Sequence, residues 1–329
     1  MANTHMGGLT PAQLKQFEDE GYLVVDGVVD QTRDLGPVFD EYATLLDEIA
    51  AILVQQGEVG SPYTELPFKD RLIRLCEESG RNFHRHFDCS LFLGDLRPDA
   101  PMYLGPALFR LITHPRLLDI VESVVGPEIY SNPTQHIRMK LPRRAIAPGN
   151  NSALVTRTPW HQDNGAYTVE ADAADILTVW MPLNDATLEN GCLQVIPRSH
   201  RNDLYTHCPG TAGVMIAIPD RQLREEQAVP LPMRASSVLL MTRRTVHSSL
   251  ENDSYDQVRF SFDMRYQPIG QPTGHPYYPG FVIRSRAQPE AAVRDPQAWA
   301  QLWYDARDRL LNGFDQVPER WSSEHPACG

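Results

Sequence analysis

A mostly β core with α-helical extensions is the fold class that the sequence predicts, and three observations predict it. Short apolar runs bounded by turn residues recur from Ile129 to Tyr266. The chain before Gly126 carries helical rather than alternating periodicity. The 27 Pro and 21 Gly residues divide the whole into many turns. Short strands in that number make a barrel or a double-sheet jelly roll, and 329 residues are enough for such a core with helices at either end.

In order along the chain, Thr10-Pro11-Ala12-Gln13 places Thr at the N-cap, Pro at the first helical position and Gln two residues later. This capping box opens a helix that runs to Glu20 and stops at Gly21. Tyr22–Val25 reads as a buried strand closed by Asp26-Gly27. From Asp30 to Gln56 the residues Leu35, Val38, Tyr42, Leu46, Ile49 and Leu53 recur at helical spacing. Helices are also predicted around Phe68–Glu78 and from Leu108 to Val125, the latter broken at His114-Pro115 and stopped at Gly126-Pro127. Strand-like runs follow at 135–141, 154–158, 176–183, 192–196, 214–218, 237–241, 246–250 and 258–266, with Asn190-Gly191 as a hairpin signal. Ala145–Ser152 reads as a polar insertion loop, and Pro296–Leu311, with Trp299, Leu302, Trp303, Ala306 and Leu310 in one stripe, as a closing amphipathic helix. Met1–Gly8 carries no fold argument. The expectation is a single domain over 1–329: a mainly helical part over 9–127, the β core over 128–285 and a helical tail over 286–329.

Charge and cysteine content exclude several function classes. Thirty Lys and Arg against 42 Asp and Glu give a net charge of −12, with no basic block, so a nucleic-acid backbone is not the expected partner. No apolar run reaches the length of a membrane span, and the N-terminus lacks the layout of a secretory signal, so a cytoplasmic protein is expected. The five Cys are widely spaced without a Cys-x-x-Cys and read as reduced thiols.

The chemistry centres on Thr158-Pro159-Trp160-His161-Gln162-Asp163. On an extended backbone, residues two apart share a face, so His161 and Asp163 can present a nitrogen and a carboxylate oxygen to one metal ion while Gln162 turns away. A second His-x-Asp, at His86 and Asp88, follows a helix-like run that does not put its two side chains on one face. His247 lies 86 residues beyond His161, and two imidazoles with one carboxylate form the facial triad of non-haem Fe(II) oxygenases. By itself, His247 also fits a buried histidine satisfied by its Ser neighbours. Arg259 and Ser261 share a strand face and can converge on one carboxylate, either an anionic ligand or an internal Asp or Glu. Arg265 lies on the same alternating face and could take that part instead.

Six segments together resemble the phytanoyl-CoA dioxygenase family of Fe(II)/2-oxoglutarate oxygenases: LTPAQLKQFEDEGYLVV (9–25), LFRLITHPRLLDIVESVVGP (108–127), TPWHQD (158–163), ENGCLQVIPRSH (189–200), HSSLEN (247–252) and RFSFDMRYQP (259–268). The resemblance implies a double-stranded β-helix, a cupin-like jelly roll, flanked by N-terminal helices and a C-terminal helix. It implies His161, Asp163 and His247 as iron ligands and as the catalytic centre, with Arg259 holding 2-oxoglutarate, helped by Ser261. Trp180 and Thr178 are expected to line the cosubstrate pocket together with His136 and Arg138; barrel filling and a solvent-facing edge that also includes Lys140 are the alternatives for these positions. Asn164 and Tyr167 are expected to meet a small-molecule substrate. The implied reaction consumes O2 and 2-oxoglutarate, releases succinate and CO2, and hydroxylates a C–H bond. Because Asp163 is present where related halogenases leave a small residue, a halide-free oxidation is expected. A jelly-roll metal-dependent isomerase or hydrolase, or a non-catalytic binding protein, is the alternative. The helical insertion 40–105 and the loop 143–157 are expected to shape the mouth of the site.

Overall fold

The computed structural model describes residues 7–149, 155–210, 216–313 and 320–328. α1 (Pro11–Glu20) opens on the predicted capping box, and Gly21, in the left-handed region, ends it. The short strand β1 (Tyr22–Val25) precedes a single wide helical turn at Gln31–Leu35 that leads into α2 (Gly36–Gln55). α3 (Phe68–Ser79), the one-turn α4 (His84–Phe87), α5 (Pro106–Ile112) and α6 (Pro115–Val125) complete the helical part, with the predicted break falling between α5 and α6. The strands are β2 (Glu128–Lys140), β3 (Leu177–Pro182), β4 (Leu193–Val195), β5 (Val229–Leu231), β6 (Val238–Thr242), β7 (His247–Ser249), β8 (Arg259–Pro268) and β9 (Phe281–Ser285). α7 (Pro296–Leu311) follows, capped by the Asp295 side chain. No helix among the described residues is long and apolar enough to cross a membrane.

Both sheets are antiparallel. Six strands pair in the order β1-β6-β3-β8-β2-β9, and three in the order β5-β4-β7. Because successive strand residues face opposite ways, the larger sheet has two different surfaces. Leu177, Val179 and Met181 of β3, Val238 and Leu240 of β6, and Phe260, Phe262, Met264 and Tyr266 of β8 all turn toward the helices and share their core. Phe260 lies 5.7 to 6.0 Å from the rings of Phe39, Tyr42, Phe68 and Phe87, which pins α2, α3 and α4 to β8. Trp180, Leu239 and Met241 take the opposite face and pack with Leu193 and Val195 of the smaller sheet. On β8 that inner face carries Arg259, Ser261, Asp263 and Arg265, so one strand supplies a hydrophobic wall outward and a row of polar groups inward.

Several sequence expectations change here. Asn190-Gly191 does form a turn, with Gly191 at φ 89° and the Asn190 side chain holding the Thr187 amide at 2.7 Å. It does not join a hairpin, because β3 and β4 lie in different sheets and the turn carries the chain between them. Residues 155–158 are not strand, and positions 150–154 and 214–215 of the predicted loop and strands fall outside the described residues. Arg138 and Lys140 are buried rather than at a solvent-facing edge, since they point between the sheets, Arg138 onto Asp263 of β8 and Lys140 onto Ser249 of β7 in the smaller sheet. Finally, Cys208 and Cys328 are joined by a disulfide, while Cys76, Cys89 and Cys192 are free and buried. Two cysteines 120 residues apart meet only because the tail folds back over the site, which their spacing does not reveal.

Candidate metal centre and its two cavities

An antiparallel bridge brings the two histidines together. The amide of His161 donates to the carbonyl of His247 and the reverse bond is also made, both at 3.0 Å. Directly opposed residues of an antiparallel pair have neighbouring side chains, and the two imidazole centres lie 4.2 Å apart. Each ring is fixed in the same way. His161 Nδ1 donates to Pro159 O at 2.9 Å and His247 Nδ1 to Thr245 O at 3.0 Å, and since a carbonyl only accepts, the lone pair of each ring is on Nε2.

Both Nε2 atoms point at Asp163, 3.6 and 3.8 Å from its Oδ1. The extended backbone at Gln162 puts Asp163 on the face of His161, and the Gln162 side chain turns the other way, to Arg244 O and the Tyr205 amide. Oδ2 of Asp163 accepts from the Thr178 hydroxyl, and Arg265 spans both carboxylate oxygens at 3.0 Å. One donor atom from each of His161, Asp163 and His247 lies within 4.8 Å of the others, and all three residues are buried. Burial raises the Asp163 pKa, but Arg265 and the two imidazoles outweigh it and hold the carboxyl well below its usual range. Burial, with His161 adjacent, pushes His247 down to about 4. A carboxylate and neutral imidazoles are the forms a divalent cation needs. The other His-x-Asp assembles nothing similar: Asp88 is fully buried and accepts from Ser90 and from the Ile137 amide, while His86 packs on Phe83.

Two cavities meet at this cluster. The smaller, about 20 Å³, runs between the sheets past His161, His247, Thr178 and Trp180. Behind Trp180, its guanidinium carbon 5.4 Å from the ring centre, lies the fully buried Arg259. Arg259 donates to Ser261 Oγ at 2.6 Å and to Gly191 O at 3.1 and 3.2 Å, and no carboxylate among the described residues lies within ion-pair distance of it. Burial lowers its pKa to about 10. Its cross-strand partner Lys140, also buried, donates to Ser249 Oγ and Leu250 O and likewise meets no carboxylate among the described residues. The larger chamber, about 570 Å³, opens on the opposite side of His161 and Asp163.

The sequence-derived residues divide between these spaces. Trp180 and Thr178 line the smaller cavity, with Thr178 bonded to Asp163. Arg138 lines both cavities and pairs with Asp263 at 2.5 Å. His136 faces the larger chamber instead, because its Nδ1 is drawn 2.8 Å from Ser90 Oγ. Tyr167 lines that chamber too, whereas Asn164 is turned away and donates to Asp172 at 3.0 Å. Sequence reasoning missed Lys140 and the role of Arg265 as the clamp on Asp163; the strict alternation of β8 was the available signal for Arg265.

The tail forms part of the larger chamber. Arg320 makes a two-pronged pair with Asp172 at 2.7 and 2.8 Å, Trp321 Nε1 donates to Gly165 O at 2.6 Å, and the disulfide ties Cys328 to Cys208. Cross-links over so long a separation act mainly on the unfolded chain, so Cys328→Ser should lower stability by about 2–4 kcal/mol in urea unfolding without reductant. With reductant present, the two proteins should unfold together; a difference that persists would assign the loss to packing.

The sequence profile described as Phytanoyl-CoA dioxygenase (PhyH) matches residues 17–261. The chain belongs to the phytanoyl-CoA dioxygenase family. It is an enzyme of that family, and its buried His161, Asp163 and His247 could together hold a metal ion. Its sequence is 28% identical over 261 residues to a phytanoyl-CoA dioxygenase of Arabidopsis thaliana, covering 75% of this chain and 84% of that one. Against phytanoyl-CoA dioxygenase domain-containing protein 1 of Mus musculus it is 24% identical over 271 residues, covering 76% and 87%. The fold is similar to that of the non-haem monooxygenase ThoJ, with a TM-score of 0.58 at 19% identity over 91% of this chain and 96% of that one.

Proposed function

We propose that this family member hydroxylates a C–H bond of a small organic molecule, with Fe(II) held by His161, Asp163 and His247 and 2-oxoglutarate held by Arg259 and Ser261. The single observation that carries the reading is the buried Arg259 guanidinium, without a carboxylate partner among the described residues, beside three converging metal donors. A buried cation is costly unless an anion joins it. A dicarboxylate reaching from the metal past Trp180 supplies that anion, and the guanidinium fork with the Ser261 hydroxyl fits a carboxylate group. When bound, iron and 2-oxoglutarate supply the oxidising chemistry: one O2 is consumed, one oxygen atom leaves in succinate with release of CO2, and the other enters the substrate.

The chain's own residues orient these partners. Thr178 and Arg265 fix the Asp163 carboxylate so that Oδ1 faces the two Nε2 atoms. Arg138, paired with Asp263, lines both cavities, and the larger chamber receives the substrate. The two facing sheets are the halves of a jelly roll, and the helical part, the sheets and the tail work as one oxygenase domain.

The test is to add Fe(II) and 2-oxoglutarate without oxygen, and then to screen metabolites for stimulated succinate release in air. A visible charge-transfer band and substrate-dependent succinate are expected. Metal binding without the band or any succinate would point instead to an isomerase or hydrolase on the same scaffold.

A further inference from the structure

The larger chamber contains a charge that the reaction above does not use. Arg85 of α4 lines it, stacked on Phe92 with its guanidinium carbon 4.0 Å from the ring centre. The nearest carboxylate, Asp88, is 4.0 Å away and already engaged. Its Oδ1 accepts from the amides of Ser90 and Ile137 at 3.2 and 2.8 Å, and its Oδ2 from the Ser90 hydroxyl at 2.7 Å, with His136 Nδ1 at 3.6 Å. Asp88 is the counter-charge of Arg85 in this loose ion pair, but none of the described residues accepts a hydrogen bond from Arg85, so its guanidinium keeps N–H donors free for a ligand in the chamber it lines. Burial pulls its pKa below the usual guanidinium range, yet a guanidinium keeps its charge at any physiological pH.

The other cations of the chamber are matched one to one. Arg138 pairs with Asp263, Arg265 with Asp163 and Arg320 with Asp172. His275 is neutral, since burial pushes it down to about 4. The remaining wall is largely aromatic, with Tyr167, Tyr278, Trp303 and Trp321, and one side-chain oxygen, Thr134 Oγ1, is buried without a hydrogen-bond partner among the described residues. A cavity of about 570 Å³ accepts a ligand of the size typical for small-molecule sites.

Resting on the reading of the site as an iron and 2-oxoglutarate oxygenase, we propose that the substrate is an amphipathic carboxylic acid. Its carboxylate forms a two-pronged pair with Arg85, and its aromatic or alicyclic body lies along the Tyr278–Trp303 wall and reaches the His161–Asp163 edge. A phosphate monoester carries close to two charges and would meet a single guanidinium here, one that Asp88 already partly offsets. A nucleotide-bearing thioester would bring still more charge.

The test uses protein loaded anaerobically with Fe(II) and 2-oxoglutarate, titrated with abietic acid and a series of ω-phenyl alkanoic acids, each beside its methyl ester. Perturbation of the visible band reads binding, and succinate release in air reads coupling. Acids should bind about 30-fold or more tightly than their esters. Arg85→Gln should abolish that preference by weakening the acids alone, and Arg85→Lys, which keeps the charge without the fork, should restore part of it. The proposal is overturned if acid and ester bind wild-type protein equally, if no acid of the series binds, or if Arg85→Gln keeps the preference. Absence of the band from wild-type protein overturns the metal reading itself, and this proposal with it, which distinguishes the two failures.

Discussion

Alanine at Asp163 is expected to give a protein without bound iron that is also markedly less stable, whereas alanine at His161 removes the iron and leaves the fold close to wild type. The difference follows from what each side chain does apart from the metal. Asp163 neutralises Arg265, only 4% exposed, through contacts at 3.0 Å. Removing one partner of a buried pair costs about 3–5 kcal/mol, because the remaining charge stays buried. His161 makes one side-chain hydrogen bond, to Pro159 O, worth on the order of 1 kcal/mol. Urea unfolding of the metal-free proteins measures the difference without a contribution from bound metal. Both variants should lose more activity than the roughly 100-fold that changes just outside a metal's ligands produce. Iron retained at one per chain by His161→Ala would remove this residue from the ligand set. Equal stability of Asp163→Ala and wild type would show that Arg265 finds another anion.

How much of this was legible in the sequence depends on whether the signal was local. The segment RFSFDMRYQP alternates polar and apolar residues without a break, so β8 was readable as a strand, and the pairing of Arg259 with Ser261 on one face followed from it. The capping box of α1 and the break before Pro115 are likewise set within a few residues of each other. Charge on one face of a strand, however, does not reveal which medium the face meets. Arg138 and Lys140 read as well toward solvent as toward a polar interior, and only the smaller sheet decides between them. The bridge between His161 and His247, the Thr178 bond to Asp163 and the Cys208–Cys328 link are long-range or lateral contacts. No spacing rule encodes them. Arg85 was hidden for another reason: it sits in the helical insertion, where one arginine among several has no pattern to mark it.

Leucine at Arg259 should separate cosubstrate binding from folding in a way that few active-site changes can. In most proteins, removing a buried, hydrogen-bonded arginine destabilises, because its carboxylate partner is left behind. Arg259 has none among the described residues: its bonds go to Ser261 Oγ and Gly191 O, and Trp180 lies beneath it. Replacing an uncompensated buried cation by a shorter apolar group removes a desolvation cost that offsets the cavity it leaves, so the protein without 2-oxoglutarate should be about as stable as wild type. Its affinity for 2-oxoglutarate should fall about 30-fold or more, the usual result of truncating one side of a buried charge pair, and the rise in melting temperature that the cosubstrate gives wild-type protein should disappear. Arg259→Lys keeps the charge but cannot form the fork, so it should fall between the two. Iron binding should survive in both, since Arg259 touches none of the three donors. A strongly destabilised Arg259→Leu protein would mean that the guanidinium serves the fold, and 2-oxoglutarate binding unchanged from wild type would hand the far carboxylate to Lys140, the neighbouring buried cation across the strand pair.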